Sequence, residues 1–136
     1  KHFACNNKEA NRFGCDSRIS ERALREIYLK CFEICVKEAH PWTVMSSYNL
    51  INGLHTSESW ELLTGILRNE WGFDGMITTD WGQKNDPVKE VMAGNDLKMH
   101  CGYPEDLQKG LPYCAACAYY GHIILLHNYL IYNCLN

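Results

Sequence analysis

Asp80 and Trp81 stand directly after a short apolar and β-branched run, Met76-Ile77-Thr78-Thr79. That run reads as a buried strand. In a parallel α/β sheet, ligands bind beyond the carboxyl ends of the strands. The Asp80 carboxylate therefore falls where chemistry is usually placed, and Trp81 offers a flat apolar face to a ring-shaped ligand. The alternative for Asp80 is a turn former, since Asp is common after strands. Tyr48 also follows a strand-like run, Trp42 to Ser47, and would emerge on the same rim. A Tyr hydroxyl donating to Asp80 would favour the carboxylate form; the alternative is a core-edge Tyr. Cys114-x-x-Cys117 followed by His122 and His127 supplies zinc-type ligands. The gap between the Cys pair and the His pair is far shorter than in a zinc finger. Neither a metal nor a cofactor is expected.

The positioning elements follow from periodicity and caps. Ser20 is an N-cap for a helix over residues 21–39. Leu24, Ile27, Tyr28, Cys31, Ile34 and Cys35 recur at helical spacing and define its expected core face. His40-Pro41 ends it, because the residue before proline leaves the helical region. The Trp42–Ser47 strand runs through Tyr48-Asn49 into the turn Asn52-Gly53. Ser57 or Ser59 caps a helix reaching about Glu70, with Trp60, Leu63, Ile66 and Leu67 inward and Gly72 at C′. Asp86-Pro87 opens a short helix carrying Val88, Val91 and Met92 and stopping at Gly94. Asn95 to Met99 reads as a third strand. Asn6 to Ser17 reads as a loop, and Lys1 to Phe3 is too short to classify. Helices alternating with strands mean right-handed crossovers and a parallel sheet. Three strands with their helices make a layer: roughly the second half of an eight-stranded barrel, or a small open sheet.

The chain has 136 residues and a formal net charge of −3. It is long enough for one domain with a core, and its charge gives no footprint for nucleic acid. It starts without Met or a signal peptide, as a piece of a longer protein would. The eight cysteines are irregularly spaced, so a reduced chain of cytoplasmic type is favoured, the compartment being otherwise unknown. No Lys, Arg, Asp or Glu follows Lys109. That shift divides the chain at 1–110 and 111–136. In the second part Tyr120, Ile123, Ile124, His127, Ile131 and Cys134 have helical spacing. It reads as a buried helix or as sequence foreign to the rest. Gly121, His122, Asn128 and Asn133 count against a membrane segment.

Several longer stretches carry a resemblance. Lys1-His2-Phe3-Ala4, Ser20 to Leu29, Val44-Met45-Ser46-Ser47-Tyr48-Asn49, Leu67 to Gly75, Thr79-Asp80-Trp81 and Ala93 to Met99 together resemble glycoside hydrolase family 3. The flavour is that of its β-glucosidases. The motifs run in the family's order from Lys1 to about Leu107, a far more specific signal than one short pattern.

The resemblance implies a partial (β/α)8 TIM barrel, roughly its C-terminal half, within a longer retaining β-glucosidase. That enzyme would remove terminal β-D-glucosyl residues from a β-glucoside or oligosaccharide. Asp80 maps onto the nucleophile, which forms a covalent glycosyl-enzyme. Lys1 and His2 would bind sugar hydroxyls. Tyr48 would lie beside the nucleophile, Met45 belongs to the same sugar-facing motif, and Trp81 would line the next subsite. On residues alone, His2 is equally a surface histidine and Lys1 a solvated charge. Arg68, Glu70 and Asp74 match family motifs as structural residues. A β-xylosidase or β-N-acetylhexosaminidase of the same family is the alternative substrate class. The run Ala4-Cys5-Asn6-Asn7 after Lys-His-Phe favours the glucosidase branch. A non-catalytic truncated remnant is the third reading. Cys5, Cys31 and Cys35 stand where small residues are expected, so overpacking is anticipated there. Nothing matches the family's acid/base residue. This chain alone is therefore expected to be inactive, with open sheet edges that invite self-association.

Overall fold

The structure is a computed structural model that describes residues 1–99 and 104–110. Its elements are β1 (Asp16–Ser17), α1 (residues 21–39), β2 (Thr43–Met45), β3 (Leu50–Ile51) and β4 (Leu54–His55). A 3-10 turn, Thr56–Glu58, leads to α2 (Glu61–Glu70), β5 (Met76–Thr78), α3 (Pro87–Ala93) and α4 (Pro104–Gly110). The class is α/β. The expected segment 111–136, with the Cys114, Cys117, His122 and His127 group, lies outside the described residues.

A parallel wall organises the molecule. β2 pairs with β5 in parallel, Val44 opposite Ile77 and Met45 opposite Thr78. Single bridges extend it on both sides, Phe3 to Ser46 and Leu97 to Thr78, both parallel. The sequential order Phe3, β2, β5, Leu97 is the order that successive right-handed crossovers produce. Lys1 to Phe3 thus gains a place from pairing: the Phe3 amide donates to the Met45 carbonyl at 2.8 Å, and the Ser47 amide to the Phe3 carbonyl at 2.9 Å. The expected third strand, Asn95 to Met99, contracts to the bridge at Leu97. The Ile77 carbonyl accepts from both Asp96 and Leu97, so the chain meets the wall at a corner instead of running along it.

One face of the wall carries the core. Phe3, Val44 and Ile77 are buried with Leu24, Leu29, Val36, Leu63, Ile66 and Leu67. Each such aliphatic side chain contributes about 2 kcal/mol on burial. Strand side chains alternate. Met45, Thr78 and Asp80 therefore belong to the opposite face from Val44 and Ile77.

Helix α1 corrects the sequence reading of its inward face. Leu24, Leu29 and Val36 are buried, whereas Ile27 is 67 % exposed and Ile34 is exposed too. Cys31 and Cys35 are also exposed, so they overpack nothing. The reason is winding. The Leu29 amide donates to the Leu24 carbonyl, five residues back, and a π-type turn of this kind advances the inward position by one. The Phe3 ring then fixes the phase, edge-on to Phe32 at 5.0 Å and to Trp71 at 5.9 Å. Helix α2 is also π-wound; Leu62, Leu63, Ile66 and Leu67 face inward, but Trp60 does not.

Caps mostly fall where the side chains dictate. Ser20 accepts from the Ala23 amide at 3.3 Å. Ser59, not Ser57, caps α2 through the Leu62 amide at 3.2 Å. Asp86 accepts from Val88 at 2.9 Å ahead of α3. Helix α1 ends at His40 in the left-handed region, φ 48°, not in the extended form expected before Pro41. The Asn52-Gly53 turn joins β3 to β4 as an antiparallel hairpin. Asp16 and Ser17, expected in a loop, form β1, parallel to β3.

Candidate active site at the carboxyl end of the wall

Asp80 leaves β5 at its carboxyl end and is 8 % exposed. Its Oδ1 accepts from the Trp81 amide at 2.7 Å. Its Oδ2 lies 3.4 Å from Nε2 of His2. One oxygen is thus held by the main chain, and the other faces a side chain from the first segment of the wall. The carboxylate is fixed in orientation, with its second oxygen turned toward the His2 ring. The geometry suits a nucleophile, whose attacking oxygen must point one way.

Tyr48 follows β2 and is buried. Its hydroxyl donates to the Trp81 carbonyl at 2.5 Å, with the Asp80 carboxylate, the partner expected from the sequence, as a further hydrogen-bonding neighbour. The phenol is pushed above its ordinary pKa, first by burial and then by the neighbouring Asp80 carboxylate, while Arg12 opposes. It therefore remains a neutral donor, pinning the peptide between Trp81 and Gly82. Trp81 is more than half exposed, in keeping with an open apolar platform. Met45 is half-buried on the wall face that also carries Asp80. Lys1 is exposed, adjacent to His2 but without an ion pair among the described residues. The structure thus assembles His2, Tyr48, Asp80 and Trp81, with Met45 on the same face and Lys1 at its margin.

Two residues of the loop before β1 join them without having been foreseen. The Arg12 guanidinium lies 4.7 Å from the Tyr48 ring centroid, and Phe13 packs on the same ring at 4.5 Å. Arg12 is in turn held by Glu9 at 3.0 Å, which accepts from Asn6 at 3.0 Å. The only signal in the sequence is an Arg-Phe pair inside an otherwise polar loop. Periodicity does not register it.

The carboxylates nearest Asp80 in sequence, Asp74 apart, are engaged elsewhere. Glu70 pairs with Arg25, Asp86 caps α3, and Asp96 accepts from Arg68 at 2.6 Å and from the Ile77 amide at 2.7 Å. Asp74 is exposed before β5. Arg68 also donates to the Gly75 and Gly94 carbonyls, which makes it the tie between β5 and the end of α3. Among the described residues no three His, Cys, Asp or Glu side chains gather as a metal site. No described helix is long and apolar enough to cross a membrane.

Comparison with known proteins shows what this chain is similar to. The family model described as glycosyl hydrolase family 3 N terminal domain matches residues 1–115. Beta-glucosidase A of Butyrivibrio fibrisolvens is 60 % identical over 111 residues, covering 82 % of this chain and 13 % of that protein. An exo-alpha-(1->6)-L-arabinopyranosidase of Bifidobacterium longum is 53 % identical over 106 residues, covering 78 % of this chain and 14 % of that protein. Among solved structures, a GH3 beta-glucosidase of Bifidobacterium adolescentis superposes with a TM-score of 0.76 at 46 % identity, covering 86 % of this chain and 17 % of that one. Beta-glucosidase 3B of Thermotoga neapolitana, solved in complex with glucose, gives 0.72 at 50 % identity, covering 80 % and 15 %. The chain spans about an eighth of the length of these curated relatives.

Proposed function

Because this chain belongs to the glycosyl hydrolase family 3 N-terminal domain family, we propose that it supplies the nucleophile side of a retaining β-glucosidase active site. The parallel wall is then a segment of a closed (β/α)8 barrel, and Asp80 is the residue that attacks the anomeric carbon. The carrying observation is the orientation of its carboxylate: Oδ1 fixed by the Trp81 amide, Oδ2 turned toward His2. In that role His2 and Lys1 donate to sugar hydroxyls, which are costly to bury unpaired. Tyr48 holds the Trp81 carbonyl, and Trp81 takes the apolar face of the next unit. A retaining mechanism needs a second carboxyl group about 5 Å away, which the longer protein supplies.

The test uses the enzyme that contains this chain. A 2-deoxy-2-fluoro-β-glucoside with an activated leaving group is expected to label Asp80, located by peptide mass. Asp80→Ala is expected to take up no label while its thermal midpoint stays near that of the parent. Label on another carboxylate would sink the assignment. The arabinopyranosidase relative, at 53 % identity, supports one second reading. Comparing kcat/KM for aryl α-L-arabinopyranoside and aryl β-glucoside decides between the two sugars.

A further inference from the structure

Glu90 and Lys98 form the one ion pair among the described residues whose side chains are both less than a tenth exposed, at 1 % and 9 %. Glu90 Oε2 and Lys98 Nζ are 2.5 Å apart. Neither residue enters the chemistry assigned above to Asp80. Taking two charges out of water is costly, so a buried pair adds little net stability; its best-attested use is to fix one arrangement over others.

The carboxylate of the pair is held from several sides. Glu90 lies on α3, and its Oε1 accepts from the Ser57 hydroxyl at 2.9 Å. The Ser57 oxygen accepts in turn from the Asn85 amide at 2.9 Å. The Asn95 amide donates to the Ser57 carbonyl at 2.6 Å and to the Glu90 carbonyl at 2.9 Å. These bonds tie the 3-10 turn to α3. Burial, and to a lesser extent Glu58, pushes the Glu90 carboxyl above its ordinary range, while the Lys98 ammonium and the Ser57 hydroxyl oppose the shift.

Lys98 belongs to the segment that meets the end of β5. Its two neighbours both bond Thr79, the residue before Asp80. The Thr79 amide donates to the Leu97 carbonyl at 2.9 Å, and the Thr79 hydroxyl accepts from the Met99 amide at 2.9 Å. Thr79 is fully buried. β5 ends at Thr78, so these two bonds continue the hold past the last residue paired with β2.

We propose that Glu90 and Lys98 are positioning residues for Asp80: the buried pair draws the Leu97–Met99 segment against Thr79 and so sets where the Asp80 carboxylate stands. The inference rests on the reading of Asp80 as the nucleophile. Misplacing a reacting group by about 1 Å can cost about a hundredfold in rate, so a pair that touches no substrate can govern kcat.

The test uses the enzyme that contains this chain. Lys98→Met keeps the aliphatic stem and removes one charge. Glu90→Gln combined with Lys98→Met removes both charges and keeps an acceptor for Ser57. In both variants hydrogen exchange is expected to quicken at the Thr79 and Met99 amides, while the Phe3 and Ser47 amides of the same wall keep the parent rate. On an aryl β-glucoside kcat is expected to fall about tenfold or more, with KM within about twofold of the parent, and labelling of Asp80 by the 2-deoxy-2-fluoro-β-glucoside should slow in parallel. A purely structural pair would lower the thermal midpoint without separating kcat from KM. The double variant buries no lone charge, so it carries the test should Lys98→Met fold poorly. Parent exchange rates at Thr79 and Met99, or parent kcat in the double variant, would overturn the proposal. The two failures are distinguishable. Label on another carboxylate sinks the nucleophile assignment and this inference with it, whereas label on Asp80 at the parent rate in the double variant sinks the positioning role alone.

Discussion

The two oxygens of Asp80 differ in environment, and Tyr48 guards that difference from behind by anchoring the Trp81 carbonyl. Tyr48→Phe keeps the ring under Phe13 and Arg12 but releases the peptide. In the enzyme containing this chain, kcat on an aryl β-glucoside is expected to fall roughly tenfold, about 1.4 kcal/mol, with KM less affected. The phenol's pKa is raised in the fold. An acid with a raised folded pKa contributes stability in full below its unfolded value, about 10, and loses it as pH rises through the higher folded one. The Tyr48 donor thus persists across the neutral range. The thiols separate in the same way by environment. Burial pushes Cys5 up to about 11, while Cys31 and Cys35 are exposed. Iodoacetamide at pH 8, followed by peptide mapping, is expected to modify Cys31 and Cys35 in the native chain and Cys5 only after unfolding, since the thiolate is the nucleophile.

At the scale of elements, Arg68 is the residue that makes α2, β5 and the α3 end one unit. Its guanidinium reaches Gly75, Gly94 and Asp96 at once, with the Phe73 ring 5.7 Å away. Arg68→Met is expected to lower unfolding free energy by about 2–3 kcal/mol, read as a shift of the urea midpoint at constant slope. Gly94 stands at the same junction with φ +112°, where an added Cβ would meet Thr64 Oγ1 at 2.5 Å. Gly94→Ala should cost about 1–3 kcal/mol through strain and overlap. By contrast, the Glu33 carboxyl is held at about 2 by Lys37 and Lys30. That triad lies on the surface, where screening leaves little net stability.

Over the whole molecule, the wall has pairing on only part of its width. Phe3 and Leu97 contribute single bridges at either side, so among the described residues each flank is paired at one point only, an edge of the kind that recruits another chain. The purified 136-residue chain is expected to self-associate, read as a concentration-dependent mass in sedimentation. It is expected to show negligible turnover of aryl β-glucosides, because Glu70, Asp86 and Asp96 are committed elsewhere. Steady turnover that Asp80→Ala abolishes would mean that the acid/base group lies within these residues.

Where a structural decision needs only a few neighbouring residues, the sequence by itself determined it. Ser20 and Asp86 cap helices because their acceptors sit two or three residues from the amides they serve. Gly72 takes a positive φ at the end of α2, as a C′ glycine does. Asp80 and Tyr48 emerge from one rim because alternating helices and strands force a parallel wall. The motif order carried the family. Tertiary structure alone decided what depends on distant partners. Phe3 set which side of α1 turned inward, overriding the face that 3.6-residue spacing selects. Leu50 and Ile51 made a strand of Asp16 and Ser17. Arg12 and Phe13 reached Tyr48 across 36 and 35 positions of chain, and Tyr48 gained the Trp81 carbonyl as an acceptor. Hydrogen bonds and ring contacts act over a few ångströms of space, whatever the separation along the chain, and only the folded arrangement states which groups fall within that reach.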